Sequence, residues 1–254
     1  MAHELVVDFH AYLGRDAYGD HSQTAHGLVA SMDACQIKLA VVAPLLDFPG
    51  PDPQVHQILQ KAVRRFPNRL IPFARLDPRY GEQAIRELAF AVDTLGFKGL
   101  LFDPVSTRSL SYHPQVLPLM QAASERGIPV LIPTGNAYLG LPEQVALLAE
   151  KMPNLRIVLG HMGTAAHALR AIDLASRCEN LYLETSLQQS PFRLPLAVRE
   201  VGETRILFGS AMPYSHQRTE LLKVHVAELS PQQKCLILGE NAKRLLGLEL
   251  DEGA

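Results

Sequence analysis

The stretch IPVLIPTGNAYLGLPEQVALLAEKMPNLRIVLGHMG (128–163) decides the fold. It opens on an apolar, β-branched run, IPVLIPTG (128–135), and closes on another, LRIVLGHMG (155–163). Between them LPEQVALLAEKM (141–152) begins on Leu-Pro and carries apolar residues at helical spacing. VLIP and RIVLG are apolar on both parities, as parallel strands covered on both faces require. The unit is strand, helix, strand.

Outward from this unit the same grammar repeats. Upstream lie LVVDFHAY (5–12), IKLAVVAP (37–44), LIPFARLDP (70–78) and GFKGLLFDP (96–104); downstream lie LYLETSL (181–187) and RILFGSAMP (205–213). The eight runs start 24 to 33 residues apart, the length of one strand–helix repeat. PDPQVHQILQKAVRRF (51–66), GEQAIRELAFAVDTLG (81–96, with Gly96 as C-cap) and HPQVLPLMQAASERG (113–127) read as helices. A final helix is predicted over SPQQKCLILGENAKRLLGL (230–248), with Ser230 as N-cap and Pro231 at its first position. No linker or composition break interrupts the series, so the expectation is an α/β chain. It reads as one (β/α)8 TIM-barrel domain over residues 1–254 with an extra C-terminal helix. A doubly wound open sheet fits less well, because the first strand lacks a GxGxxG turn.

Composition narrows the function. Lys and Arg number 24 against 26 Asp and Glu, a net charge of −2, so no basic surplus attracts nucleic acid or anionic lipid. Hydrophobic residues make up 47%, which excludes a disordered chain. No apolar run reaches about 18 residues, and the start MAHELVVDFHAY turns polar too soon for a signal peptide. Three scattered cysteines without a CxxC pair fit a reducing compartment, so the expected location is the cytoplasm. The expected partner is a small molecule, with no nucleic acid and no membrane; a homo-oligomer is left open.

In such barrels the working residues lie at the C-terminal ends of the strands. Those ends carry Asp8, His10 and Tyr12; Arg75 and Asp77; Asp103; Thr134 and Asn136; His161; Glu184 and Ser186; Ser210, Ala211 and Tyr214. Alternation predicts Asp8, His10 and Tyr12 on one face, and Glu184 with Ser186 likewise.

The segments VVDFHAY, RRFPNRLIPFARLDP, LGFKGL, ERGIPVLIPTG, LRIVLGHMG, RILFGSAMP and LGENAKRLLGL, taken in order, resemble the amidohydrolase-2 branch of the amidohydrolase superfamily. That resemblance covers nearly the whole chain and implies a metal-dependent TIM-barrel hydrolase or decarboxylase. Typical members carry His-x-His at the first strand, His at the fifth and sixth, and Asp at the eighth. All but the sixth-strand His hold a divalent metal, usually zinc. Here His10 and His161 match, but Tyr12 replaces the second histidine, Pro133 the fifth-strand histidine and Ala211 the aspartate. Proline and alanine offer no donor atom, so the usual metal centre is not expected and no cofactor is called for.

Three readings follow. In the first, hydrolase-like or decarboxylase-like chemistry on a small organic acid, ester or lactone proceeds without the metal. His161 is then the general base or acid, and His10 and Tyr12 polarise or anchor the substrate. Arg75, Asn136, Tyr138, Glu184 and Tyr214 are the expected substrate contacts, with Arg75 or Arg108 holding a carboxylate. In the second, a divalent metal such as zinc is held by a rearranged set drawn from His10, Asp103, Glu184 and His161, with Asp8 nearby. Against that, Asp103 precedes Pro104 and reads equally as a helix cap, and Glu184 reads as half of a salt bridge, for instance to Arg75. In the third, the barrel is inactive and binds a small ligand or partner. The loop GRDAYGDHSQTAH (14–26) carries His21 and His26 across the mouth, as a lid or as surface histidines; His216 also follows the eighth strand, while His113 and His167 read as structural.

Overall fold

The computed structural model describes residues 5–16, 19–46, 53–136 and 138–249. The chain runs β1 (Val7–Arg15), β2 (Ser22–Gln23), α1 (Ala25–Ala34), β3 (Leu39–Leu45), α2 (Pro53–Arg65), β4 (Leu70–Arg75) and α3 (Glu82–Ala89). It continues through β5 (Gly99–Leu101), α4 (Pro104–Thr107), α5 (Leu117–Glu125), β6 (Val130–Pro133), α6 (Pro142–Lys151), β7 (Ile157–Gly160) and α7 (Thr164–Arg177). β8 (Leu181–Glu184), α8 (Arg193–Val201), β9 (Ile206–Leu207), α9 (Gln217–Val226), α10 (Pro231–Cys235) and α11 (Asn241–Leu246) complete it. The expected helix over 51–66 is present from Pro53; its first two positions, like residues 17 and 18 of the first loop, lie outside the described residues.

All eight apolar runs form strands. β1 and β3 to β9 pair in parallel in sequence order, and β2 adds a short antiparallel arm to β1 through Gly14 and Arg15. The ring closes between β1 and the chain around β9. The Phe9 N–H donates to the Phe208 carbonyl (2.8 Å), the Tyr12 N–H to Met212 (2.9 Å) and the Ala211 N–H to His10 (2.6 Å). The expected α/β barrel is the observed architecture.

Because each strand is covered on both sides, two apolar layers form. Phe9, Phe73, Leu101, Leu131, Val158 and Leu207 fill the inside; Leu88, Leu119, Val145 and Ile172 belong to the outer layer beneath the helices. Phe9 and Phe73 meet edge to face with ring centres 5.7 Å apart. Gly99 has no side chain because the Phe73 ring occupies the space a Cβ would take.

The C-terminal helix closes the floor of the barrel. The Ser230 hydroxyl caps α10 and the Gln233 side chain returns the bond, a capping box that the sequence reading half anticipated. A π-helical turn (Leu236–Glu240) joins α10 to α11, and Ala242 and Leu245 enter the inner layer from below. Asn241 Nδ2 fastens this plug by donating to the carbonyls of Glu203 and Ile206, each at 2.7 Å. No helix among the described residues is long and apolar enough to cross a membrane.

One expectation about β1 fails. Phe9 and Tyr12 share the inner layer, which strict alternation forbids, because the pairing of β1 with β3 shifts register between Asp8 and Ala11. Asp8 therefore parts company with its neighbours: its carboxylate goes to Ser210 and Gln217, while His10 and Tyr12 hydrogen-bond each other.

Candidate active site

Glu184, the last residue of β8, has no solvent exposure, and a buried carboxylate must find donors. It finds four. Oε2 accepts from His10 Nδ1 (2.8 Å), from the Ser186 hydroxyl (2.8 Å) and from the His161 backbone N–H (3.2 Å), and Oε1 accepts from the Ser186 N–H. Gly209 leaves room for it, since a Cβ there would collide with Oε1. Burial works to raise the Glu184 carboxyl, but the hydrogen bond and charge of His10, with His161 and Ser186, outweigh it and hold it at about 2. The predicted partner Arg75 is not the partner. Nor is Glu184 placed as a substrate contact, because both of its oxygens are taken by the protein.

The protons along this chain follow from the partners. An ionised Glu184 only accepts, so His10 carries a proton on Nδ1, and its Nε2 meets the Tyr12 hydroxyl at 2.7 Å. Ser186 spends its proton on Glu184, so its oxygen accepts from His161 Nδ1 at 2.8 Å. His161 Nε2 is left with its lone pair. The result is a continuous relay: Tyr12, His10, Glu184, Ser186, His161. The two imidazoles lie 4.9 Å apart with planes 15° from parallel. Burial, and then the neighbouring His10, pull the His161 imidazole down to about 4, so it is neutral near pH 7. Burial also drives the Tyr12 phenol well above its ordinary value, opposed by Arg75, so Tyr12 stays a donor.

Asp8 forms a second buried knot. It accepts from the Ser210 N–H (2.8 Å), the Ser210 hydroxyl (2.6 Å), Gln217 Nε2 (2.9 Å) and the His10 N–H (3.2 Å). Burial raises its carboxyl to about 6 against these bonds. The knot ties β1 to the β9 end and to α9, and so fixes the backbone that carries His10. Gln217 was not foreseen; it is a polar residue in the first turn of a helix and gives no signal in the sequence.

Arg75, at the end of β4, is buried and committed. Nη2 pairs with Asp103 (2.8 Å) and reaches the Ser106 hydroxyl (3.3 Å), Nη1 donates to the Pro44 carbonyl (3.0 Å), and the guanidinium lies 5.8 Å from the Tyr12 ring centre. Its Nε is buried without a partner. Asp103 also caps α4 through the Val105 N–H. It is therefore not a member of the metal set, and the capping alternative holds. His56, on α2, supplies an acceptor for the Arg75 N–H that the sequence reading missed.

The remaining candidates divide. Tyr214 packs edge to face on Tyr12 at 5.6 Å, and His21 packs on Tyr214 at 4.7 Å. Asn136 instead closes the turn after β6, its Oδ1 accepting from the Tyr138 and Leu139 N–H groups, and Tyr138 is 81% exposed. His216 caps α9, His113 accepts from the Gln115 N–H, and His26 packs on Phe66. Several non-glycine residues at the mouth adopt positive φ: His161 (64°), Met162 (46°), Leu187 (55°) and Ala211 (55°). Such conformations cost about 1–3 kcal/mol each and collect at working sites.

His10, Glu184 and His161 offer one donor atom each, all within 4.8 Å of one another. The expectation that no cofactor is called for thus finds no support, since two imidazoles and a carboxylate are a metal-binding donor set. It is the rearranged set without Asp103.

The amidohydrolase model of the second type matches residues 47–248. The chain belongs to that family. The match begins after β1, the strand on which Tyr12 departs from the usual pattern. The γ-resorcylate decarboxylase of Polaromonas sp. (strain JS666 / ATCC BAA-500) is 27% identical over 214 residues, which cover 64% of this chain and 66%, just under two thirds, of that relative. Among solved structures, 5-carboxyvanillate decarboxylase LigW from Sphingomonas paucimobilis superposes with a TM-score of 0.79 at 17% identity, covering 97% of this chain and 100% of the other. A dihydroxybenzoic acid decarboxylase from Polaromonas sp. JS666, solved with manganese and the inhibitor 2-nitroresorcinol, gives 0.78 at 21% identity, covering 98% of each. These likenesses agree with the barrel.

Proposed function

We propose that this amidohydrolase-family barrel is a carboxy-lyase acting on a small hydroxylated aromatic acid, with His161 as the group that moves the proton. The observation that carries the reading is the relay that pins His161 Nδ1 on Ser186 and leaves Nε2 as a neutral base at the mouth. The decarboxylases among its relatives supply the substrate class. In a 2-hydroxybenzoate, His161 Nε2 takes the phenolic proton and returns it to the ring carbon bearing the carboxylate. The carbon–carbon bond then breaks, its electron pair restores the aromatic phenolate, carbon dioxide leaves, and the phenolate is protonated by solvent. Arg75, the cation beside the Tyr12 ring, and Tyr214 are the groups best suited to hold the acid.

A divalent metal would be held by His10, Glu184 and His161. As arranged they fit an ion poorly. In this cluster both nitrogens of His10 and both oxygens of Glu184 are already in hydrogen bonds. Pro133 and Ala211 supply no further donor. The donors suit a proton relay, and no step above runs through a metal.

The test is conversion of γ-resorcylate to resorcinol and carbon dioxide, followed by chromatography, by wild type and His161→Asn. Turnover lost in the variant supports the reading. Equal turnover in the variant removes His161 from the chemistry, and no turnover with any hydroxybenzoate favours the inactive binding barrel.

A further inference from the structure

Asp16 and His21 form a pair on the first loop that the proposed chemistry does not use. Asp16 Oδ2 accepts both the His21 backbone N–H (3.0 Å) and its Nδ1 (3.1 Å), so one carboxylate oxygen fixes the imidazole's position and orientation. The loop is held by its own backbone as well: the Asp16 N–H donates to the His21 carbonyl at 3.1 Å and the Gly19 N–H to the Asp16 carbonyl at 3.2 Å. With Nδ1 spent on Asp16, His21 presents Nε2 outward, and the side chain keeps 41% of its exposure.

Two observations make this pair more than a surface contact. The first is contiguity. The His21 ring lies on Tyr214 (4.7 Å), Tyr214 on Tyr12 (5.6 Å), and the Tyr12 hydroxyl bonds His10, which faces His161. His21 is the solvent-side end of an unbroken run of rings that leads to the relay. The second is an unfilled valence. The Asp16 side chain is only 6% exposed, yet its Oδ1 has no hydrogen-bond partner. Buried acceptors are nearly always paired, so a carboxylate kept here at that cost is kept for the imidazole it positions.

We propose that Asp16 and His21 are a ligand-binding pair of this site. In it Asp16 positions the imidazole through Oδ2, and His21 Nε2 accepts from a hydroxyl of the bound acid. The inference rests on the proposed preference for a hydroxylated aromatic acid, and it places a ligand contact on the loop opposite His161. It also distinguishes the two loop histidines, since His26 packs against Phe66 instead.

The experiment is calorimetric titration of the full chain with 2-nitroresorcinol and with γ-resorcylate, for wild type, His21→Ala, Asp16→Asn and the control His113→Ala. His21 is exposed enough that its truncation should leave the melting temperature unchanged, and that is measured alongside. The expected result is binding by wild type and control, with affinity lowered at least tenfold in both His21→Ala and Asp16→Asn. Binding by wild type that persists undiminished in both variants overturns the pair while leaving the preference for a hydroxylated aromatic acid intact. Absence of binding by wild type for either compound overturns that preference and the pair with it.

Discussion

His10 and His161 lie ring over ring, 4.9 Å apart, and are joined through a single carboxylate: Glu184 Oε2 accepts the Nδ1 proton of one and the backbone N–H of the other. A shared acceptor of this kind couples the two imidazoles. It holds His10 between Tyr12 and Glu184 with both ring nitrogens engaged, and it sets His161 at the strand end with Nε2 open.

The first consequence concerns His161→Asn. The amide can keep the contact with Ser186 but cannot accept and return a proton at Nε2. Turnover of a hydroxybenzoate is expected to fall about 10²–10⁴-fold, with little change in the affinity for 2-nitroresorcinol. Loss of both binding and turnover would instead make His161 a binding residue.

Tyr12→Phe removes the 2.7 Å bond to His10 and leaves a buried imidazole nitrogen unpaired. Urea unfolding should show a loss of about 1–3 kcal/mol. An unchanged midpoint would mean that the bond contributes nothing net.

The pH dependence of stability separates two opposed groups. His161 binds its proton at about 4 in the folded chain against an ordinary 6.5, so acidification from pH 6.5 to 4 favours the unfolded state. Asp8 binds its proton at about 6 when folded against an ordinary 3.8, so acidification over nearly the same window favours the folded state. Each is worth about 3 kcal/mol at full extent, and the two nearly cancel. Relative to wild type, His161→Asn should therefore gain stability as the pH falls from 6.5 to 4, measured by denaturant unfolding at each pH. A parallel pair of curves would refute the buried, neutral His161. Below pH 4.5 the Glu184 carboxylate, held at about 2 in part by His161, adds an acid loss that is larger in wild type than in the variant.

Metal content is the fourth test. Produced with zinc and manganese supplied and purified without a chelating tag, the protein is expected to carry well under one equivalent by elemental mass spectrometry. One equivalent tightly held would show that the cluster of His10, Glu184 and His161 opens its hydrogen bonds to take an ion. Tyr12→His, Pro133→His and Ala211→Asp together should raise zinc uptake. Ala211 already has φ 55°, a conformation that aspartate tolerates better than most residues.

The eight strands were legible in the sequence because a parallel strand must be apolar on both faces, and few other segments are. The meeting of His10 with His161 was legible for a related reason, since strand ends of a closed barrel converge. What could not be read was local. The register shift in β1 separates Asp8 from Tyr12 and leaves no mark in the order of residues. The partner of Glu184 was misread because Arg75 is the permanent cation that a buried carboxylate suggests on paper. Only the closure of the ring beside β1 brings His10 to Glu184, while Asp103 on the neighbouring strand takes Arg75. Gln217 and His56 sit in helices whose patterning does not distinguish a structural polar contact from an exposed one.

The plug made by α11 has a kinetic meaning. With Ala242 and Leu245 packed into one end of the inner layer, the described residues leave the rim formed by the strand-end loops as the doorway for reactant and product. On the proposed chemistry, carbon dioxide and the phenol would depart past the same residues that admit the next acid. Occupancy by the phenol should slow turnover competitively, and substitutions along that rim should alter release as much as capture.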